Sequence, residues 1–134
     1  MPRLHVLAVA ARLPAWAEAA CADYVRRMPR GYEIARVMTK PERLRAALPK
    51  GTRVVALDER GRDLTTVQFA RLLEEETVFV IGGADGLPED FKASAHALVR
   101  LSSLTLAHAL AQVVLVEQIY RAATLRTGHP YHRA

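Results

Sequence analysis

A single cysteine, Cys21, stands in this 134-residue chain, so no internal disulfide can form. One thiol without a partner fits a reducing compartment, and its alanine-rich surroundings read as a small core position. No apolar run reaches the length of a membrane span. The opening MPRLHVLAVAARLP has a short apolar stretch broken at once by Arg12, Pro14 and Trp16, and is not expected to act as a signal peptide. Lysine is scarce. Of 19 basic residues only Lys40, Lys50 and Lys92 are lysine, and the rest are arginine. Arginine offers phosphate a planar fork and stacks on bases, which suits RNA, although codon choice in a GC-rich or heat-adapted genome gives the same ratio. Against 14 acidic residues the formal net charge is +5, which points to an anionic partner.

Several catalytic signatures are also missing. There is no G-x-S-x-G elbow and no Gly-Lys-Ser/Thr of a phosphate-binding loop. His129 and His132 have metal-like spacing, but His5, His96 and His108 are scattered and no third ligand is evident, so no metal is expected. The acid pairs Asp58/Glu59, Glu74/Glu75/Glu76 and Glu89/Asp90 read as solvated faces and helix-end charges.

What is present is an alternation. Strands are expected at Leu4–Val9, Tyr32–Met38, Arg53–Leu57, Val78–Ile81 and Leu98–Leu101. Helices are expected from Pro14 to Met28, from Pro41 to Leu48, from an N-cap at Thr65 to Glu76, from Pro88 to about Ala97, and from about Ala109 to Thr127. Asp58 to Asp63 reads as a polar loop. With no repeat or linker, the pattern is one α/β domain, residues 1–134, with a mostly parallel sheet flanked by helices. The last helix is apolar nearly all round (Leu110, Val113, Val114, Leu115, Val116, Ile119, Tyr120). It is either central to the core of one chain or covered on one side by a second subunit.

Three segments can carry chemistry. Ile81-Gly82-Gly83-Ala84-Asp85-Gly86-Leu87-Pro88 puts glycines at the carboxyl end of a strand, where a ligand can approach the backbone; a tight turn would look the same. Leu101-Ser102-Ser103-Leu104-Thr105-Leu106 can offer backbone groups to an adenine edge and leucines to its ring. The tail His129-Pro130-Tyr131-His132-Arg133 combines groups that stack on unpaired bases and reach phosphate.

In this order and spacing, those segments resemble the RlmH family of SPOUT methyltransferases, the large-subunit rRNA pseudouridine N3-methyltransferases. The resemblance spans essentially the whole chain. It is carried also by Leu7-Ala8-Val9, Pro14-Ala15-Trp16, Asp23-Tyr24-Val25-Arg26-Arg27, Val55-Ala56-Leu57-Asp58 with Gly61, and Glu117-Gln118-Ile119-Tyr120-Arg121-Ala122. The stretch between Met38 and Thr52 is shorter than in many members, and Ala107 and Ala109 stand where prolines are common. The resemblance implies a SPOUT fold with a deep C-terminal trefoil knot, which connection rules alone would not propose. It implies S-adenosylmethionine as cofactor, with S-adenosylhomocysteine as product, held by Leu57, Gly82, Gly83 and Leu101 through Leu106. The substrate it implies is N3 of a pseudouridine in 23S rRNA on the assembled 70S ribosome, in the cytoplasm, with a homodimer formed through the C-terminal helix region. Catalytic candidates are His132 as base or base-positioner, Tyr131 for stacking or hydrogen bonding, and Arg133 or Arg121 for charge. Two rivals remain open: a non-catalytic ribosome-binding factor with the same fold, and a nucleotide-using enzyme that holds phosphate at Gly82–Gly86. Calorimetry with S-adenosylmethionine, ATP and NAD separates the three.

Overall fold

The computed structural model describes residues 4–9 and 12–133, without the side chains of residues 132 and 133. Among the described residues, strands and helices alternate strictly: β1 (Leu4–Val9), α1 (Ala15–Arg26), β2 (Ile34–Thr39), α2 (Leu44–Ala47), β3 (Arg53–Asp63), α3 (Thr66–Ala70), β4 (Thr77–Ile81), α4 (Glu89–Ser94), β5 (Ala97–Arg100) and α5 (His108–Thr127). Short 3-10 turns occupy Pro41–Arg43, Arg71–Glu74 and Pro130–Arg133. The sheet order is β2-β1-β4-β3-β5, and every pairing is parallel. All strand carboxyl ends therefore lie along one edge.

Period-two alternation divides the core between two faces. Leu4, Val6, Ala8, Val55, Phe79 and Val99 face α3 and α5, packing on Phe69, Leu115 and Ile119. Leu7, Val9, Ala56, Val78 and Val80 face the opposite way, onto Leu44 of α2 and Phe91 of α4. Because both faces are covered, β4 (TVFVI) is buried at all five positions and reads as an unbroken apolar run.

Three elements differ from the sequence expectation. The stretch expected as a polar loop belongs to β3: Leu57 and Arg62 both pair with Val99 of β5, so residues 58–61 bulge out of the ladder and the strand resumes after them. Their polarity reflects this excursion. Gly61 crosses directly over β5, where a Cβ would sit 2.5 Å from the Val99 carbonyl carbon. The helix after Thr65 tightens to 3-10 geometry at Arg71, and the helix after Pro88 ends at Ser94 because Ala97 is drawn into β5. On α1 the buried face is Ala17 and Cys21, whose small side chains let the helix approach Val116 of α5. Trp16 is left 55% exposed. Burial pushes the Cys21 thiol up, away from reactive thiolate.

Leu115, Val116, Ile119, Ala122 and Ala123 of α5 are buried within the chain against the sheet, α1 and α3, while Leu110 is left 41% exposed. The helix ends as the sequence requires: Gly128 takes a left-handed φ of 78°, and His129 N–H donates to Thr124 O at 2.9 Å.

Thr65 caps α3 in a reciprocal box. Its hydroxyl accepts from Gln68 N–H at 3.1 Å, and Gln68 Oε1 accepts from Thr65 N–H at 2.9 Å. A Thr65→Ala protein is expected to lose about 1 kcal/mol of stability, read from the urea midpoint at unchanged slope. An unmoved midpoint would show that the cap contributes nothing.

Candidate active site

Parallel pairing brings the carboxyl ends of β3, β4 and β5 side by side, and the segments that leave them enclose one cleft of about 470 Å³. From β3 come Leu57 and the bulge residues Asp58, Glu59 and Arg60. From β4 come Ile81 and the loop Gly82 to Leu87. From β5 come Arg100, Leu101, Ser102, Leu104, Thr105 and Leu106, and Ala111 of α5 closes the floor. Of the nine residues expected around a cofactor, Leu57, Gly82, Gly83, Leu101, Ser102, Leu104, Thr105 and Leu106 line this cleft, and Ser103 does not.

Each wall has a local cause. The β4 loop is a tight turn in which Gly86 N–H donates to Gly83 O at 2.9 Å and Gly86 adopts a φ of 74°. Gly82 lies against that turn so closely that a Cβ would fall 2.6 Å from the Gly86 carbonyl carbon. The β5 segment is open backbone. Among the described residues, the main chain of Ser102 to Leu106 pairs with no other main-chain group, and only Leu104 N–H is taken, by Ser102 Oγ at 2.9 Å. Such a strip has donors and acceptors to give an adenine edge, and Leu104, 75% exposed, supplies apolar surface at the rim.

The polar groups of the cleft are ordered by a residue pair that the sequence reading did not single out. Lys92 Nζ lies 3.1 Å from Asp58 Oδ1 and 3.1 Å from Glu89 Oε1. Hydrogen bonds to Asp58 and then Glu89 raise the lysine's pKa above its ordinary value. Asp58 Oδ2 accepts from Arg60 N–H at 3.0 Å, which fixes the bulge. A zwitterionic amino-acid group with an adjacent sulfonium finds both signs of charge here. In sequence Asp58 reads as a loop acid, because its partner is 34 residues away and no local spacing links them.

The tail lies elsewhere on the chain. Tyr131 packs edge-on to Tyr120, with ring centroids 4.6 Å apart, and donates from its hydroxyl to Glu117 Oε2 at 2.8 Å. Burial, then the bonds to Tyr24 and Glu117, push its phenol well above the usual tyrosine range. Arg121 pairs with Glu117 at 2.9 Å and stands 4.8 Å from the Tyr131 ring centroid. Arg27 lies 5.0 Å from the Tyr120 ring centroid. Tyr131, expected to meet a base, thus uses its ring and hydroxyl within its own chain, as an anchor for the Pro130–Arg133 turn. The side chains of His132 and Arg133 lie outside the described residues. Arg121 is ten residues along α5 from Ala111 on the cleft floor, about 15 Å of helix, so neither Arg121 nor Tyr131 lines the cleft of its own chain.

Among the described residues there is no group of three or more His, Cys, Asp or Glu able to hold a metal ion, and no helix long and apolar enough to cross a membrane.

Residues 2–132 match the family model described as Predicted SPOUT methyltransferase. The ribosomal RNA large subunit methyltransferase H of Polynucleobacter asymbioticus is 47% identical, with 98% of this chain and 99% of the relative covered. That of Paraburkholderia xenovorans is 45% identical over the same shares of the two chains. The alignments run over 145 and 154 positions against 134 residues here, so the relatives carry inserted residues. Among solved structures, a probable methylase family protein from Haemophilus influenzae Rd KW20 superposes with a TM-score of 0.61 at 12% identity, covering 97% of this chain and 70% of that one. The SpoU methyltransferase AviRb from Streptomyces viridochromogenes, solved in complex with AdoMet, superposes with a TM-score of 0.54 at 17% identity, covering 92% of this chain and 57% of that one. A match of that extent to the family model, joined to relatives nearly half identical along their full length, makes this chain a member of the SPOUT methyltransferase family, in the group of the ribosomal RNA large subunit methyltransferases H.

Proposed function

We propose that this protein is an S-adenosylmethionine-dependent enzyme that methylates N3 of a pseudouridine in 23S rRNA, on the assembled 70S ribosome, in the cytoplasm. The observation that carries this reading is the convergence of the β3, β4 and β5 carboxyl-end segments on one cleft, in a chain whose relatives are named for large-subunit rRNA methylation. The cofactor, when bound, supplies an already activated methyl group. The Ser102–Leu106 backbone holds its adenine, the glycines of the β4 loop let it approach the main chain, and Lys92 with Asp58 and Glu89 balances its charged end. The chain's remaining tasks are to orient the base, exclude water and handle one proton.

The imide proton at N3 leaves as the base attacks, and negative charge spreads onto the base oxygens. His132 takes that proton or positions its acceptor, and Arg133 or Arg121 stabilises the charge. Glu117 and Tyr131 hold the turn that presents them. Because Arg121, packed against Tyr131 of that turn, stands about 15 Å of helix from Ala111 in the cleft, the complete site is read as shared between two copies, the tail of one meeting the cleft of the other. Trp16 and Leu110, 55% and 41% exposed on the packed helices α1 and α5, support a homodimer through that region. The trefoil knot is part of this reading, as is a single domain over residues 1–134.

Mass spectrometry of 23S rRNA from cells lacking the gene is expected to show one N3-methylpseudouridine replaced by pseudouridine, restored by the purified protein acting on 70S ribosomes. An unchanged methylation pattern removes the substrate assignment. Calorimetry that detects no S-adenosylmethionine binding removes the enzyme assignment.

A further inference from the structure

Most basic side chains of the described residues are tied to a carboxylate: Arg36 to Glu18, Arg53 to Glu75, Arg100 to Asp63, Arg126 to Glu74 and others. Arg60, Arg62 and Arg71 have no carboxylate partner among the described residues, and these three line a single groove of about 600 Å³. Gln68 and His96 stand beside them, Leu64 and Leu72 add apolar wall, and no acidic residue lines the groove. Asp63, next in sequence to Arg62, is held by Arg100.

The fold puts these cations together. The bulge at residues 58–61 carries Arg60 out of β3, and the strand resumes at Arg62 alongside β5. Arg71 reaches the same groove from the 3-10 turn after α3. His96 Nδ1 accepts from Val54 N–H at 2.9 Å, so its Nε2 carries the hydrogen and adds a neutral donor. Three uncompensated like charges in one concavity repel one another, and an anion removes that cost. The groove is continuous with the cofactor cleft through Arg60, which lines both. A second groove, at Lys40 and Arg43, includes Asp85 and offers a weaker field.

We propose that the groove of Arg60, Arg62 and Arg71 seats the sugar-phosphate backbone of the RNA strand that carries the target base, beside the cofactor cleft with which it shares Arg60. The proposal rests on the reading of this protein as an rRNA methyltransferase. Arginine forks bind phosphodiester oxygens in pairs, and Gln68 and His96 add donors to the same backbone. Arg62 and Arg71 lie outside the cofactor cleft, so they can be changed without touching it.

The experiment measures binding of purified 70S ribosomes across a potassium chloride series. It uses the full chain, Arg62→Gln, Arg71→Gln, the double Arg62→Gln/Arg71→Gln and the double Arg62→Lys/Arg71→Lys. Each glutamine is expected to lower the slope of log affinity against log salt by about one, the glutamine double to bind roughly tenfold or more weakly, and the lysine double to keep most of the affinity. Calorimetric affinity for S-adenosylhomocysteine is expected to be the same in all five proteins. Glutamine variants that bind ribosomes with the unaltered protein's affinity and salt slope overturn the groove while leaving the methyltransferase reading intact. An unaltered protein that neither binds nor methylates ribosomes overturns both. A loss on ribosomes without a loss on protein-free 23S rRNA assigns the groove to an acidic ribosomal protein, and the RNA proposal falls.

Discussion

A Gly82→Val protein is expected to lose methyl transfer by about a hundredfold or more, together with calorimetrically measurable S-adenosylhomocysteine binding. The cause is steric and local. At residue 82 a Cβ would lie 2.6 Å from the Gly86 carbonyl carbon and 2.9 Å from both Gly86 O and Leu87 N. All three are main-chain atoms, so no flexible side chain can yield. The Gly83–Gly86 turn must open instead, and that turn is a wall of the cofactor cleft. Gly82 follows β4, whose Val78, Phe79, Val80 and Ile81 are buried, so the sheet beneath should stand and the damage should remain in the loop. Normal cofactor affinity in this variant would show that the loop is not part of the cofactor site.

The second large effect concerns the tail. A His132→Ala protein is expected to bind S-adenosylhomocysteine normally and to transfer methyl groups some 10²- to 10⁴-fold more slowly, the usual range for loss of a proton-transfer group. Mixing it with Gly82→Val distinguishes a shared site from a self-contained one. In a mixed dimer with crossed tails, the intact cleft of one copy meets the intact tail of the other. Random exchange then returns about one quarter of the normal number of sites. If each chain completes its own site, the mixture stays inactive. Full activity of His132→Ala alone would remove that histidine from the chemistry.

Much of the cleft was visible in local sequence because its walls are short segments with their own signatures. Glycines after a buried strand and a hydroxyl-rich stretch before a helix can be read without knowing what lies beside them. Asp58 and Lys92 could not be found that way: their contact exists only because β3 and the helix after β4 share one sheet edge. Tyr131 carried a signal, an aromatic residue in a basic tail, but its engagement with Glu117 and Tyr120 depends on the chain doubling back along α5. The covering of α5 was likewise undecided by periodicity. An all-round apolar helix states that something covers it, and only the packing names α1, α3 and the sheet.

Sequence alone determined the alternation of strands and helices, the parallel class of the sheet, the glycine that ends α5 and the segments from which a site could be built. Backbone sterics, side-chain burial and turn chemistry act over a few residues, so a few residues suffice to read them. The tertiary structure decided the strand order β2-β1-β4-β3-β5, and with it the meeting of three distant segments in one cleft. It decided the bulge that turns an apparent loop into strand, the gathering of three arginines that have no carboxylate partner among the described residues, and the separation of Tyr131 and Arg121 from the cleft within one chain. Each of these depends on contacts between residues far apart in sequence, whose partners are chosen by the packing of the whole sheet.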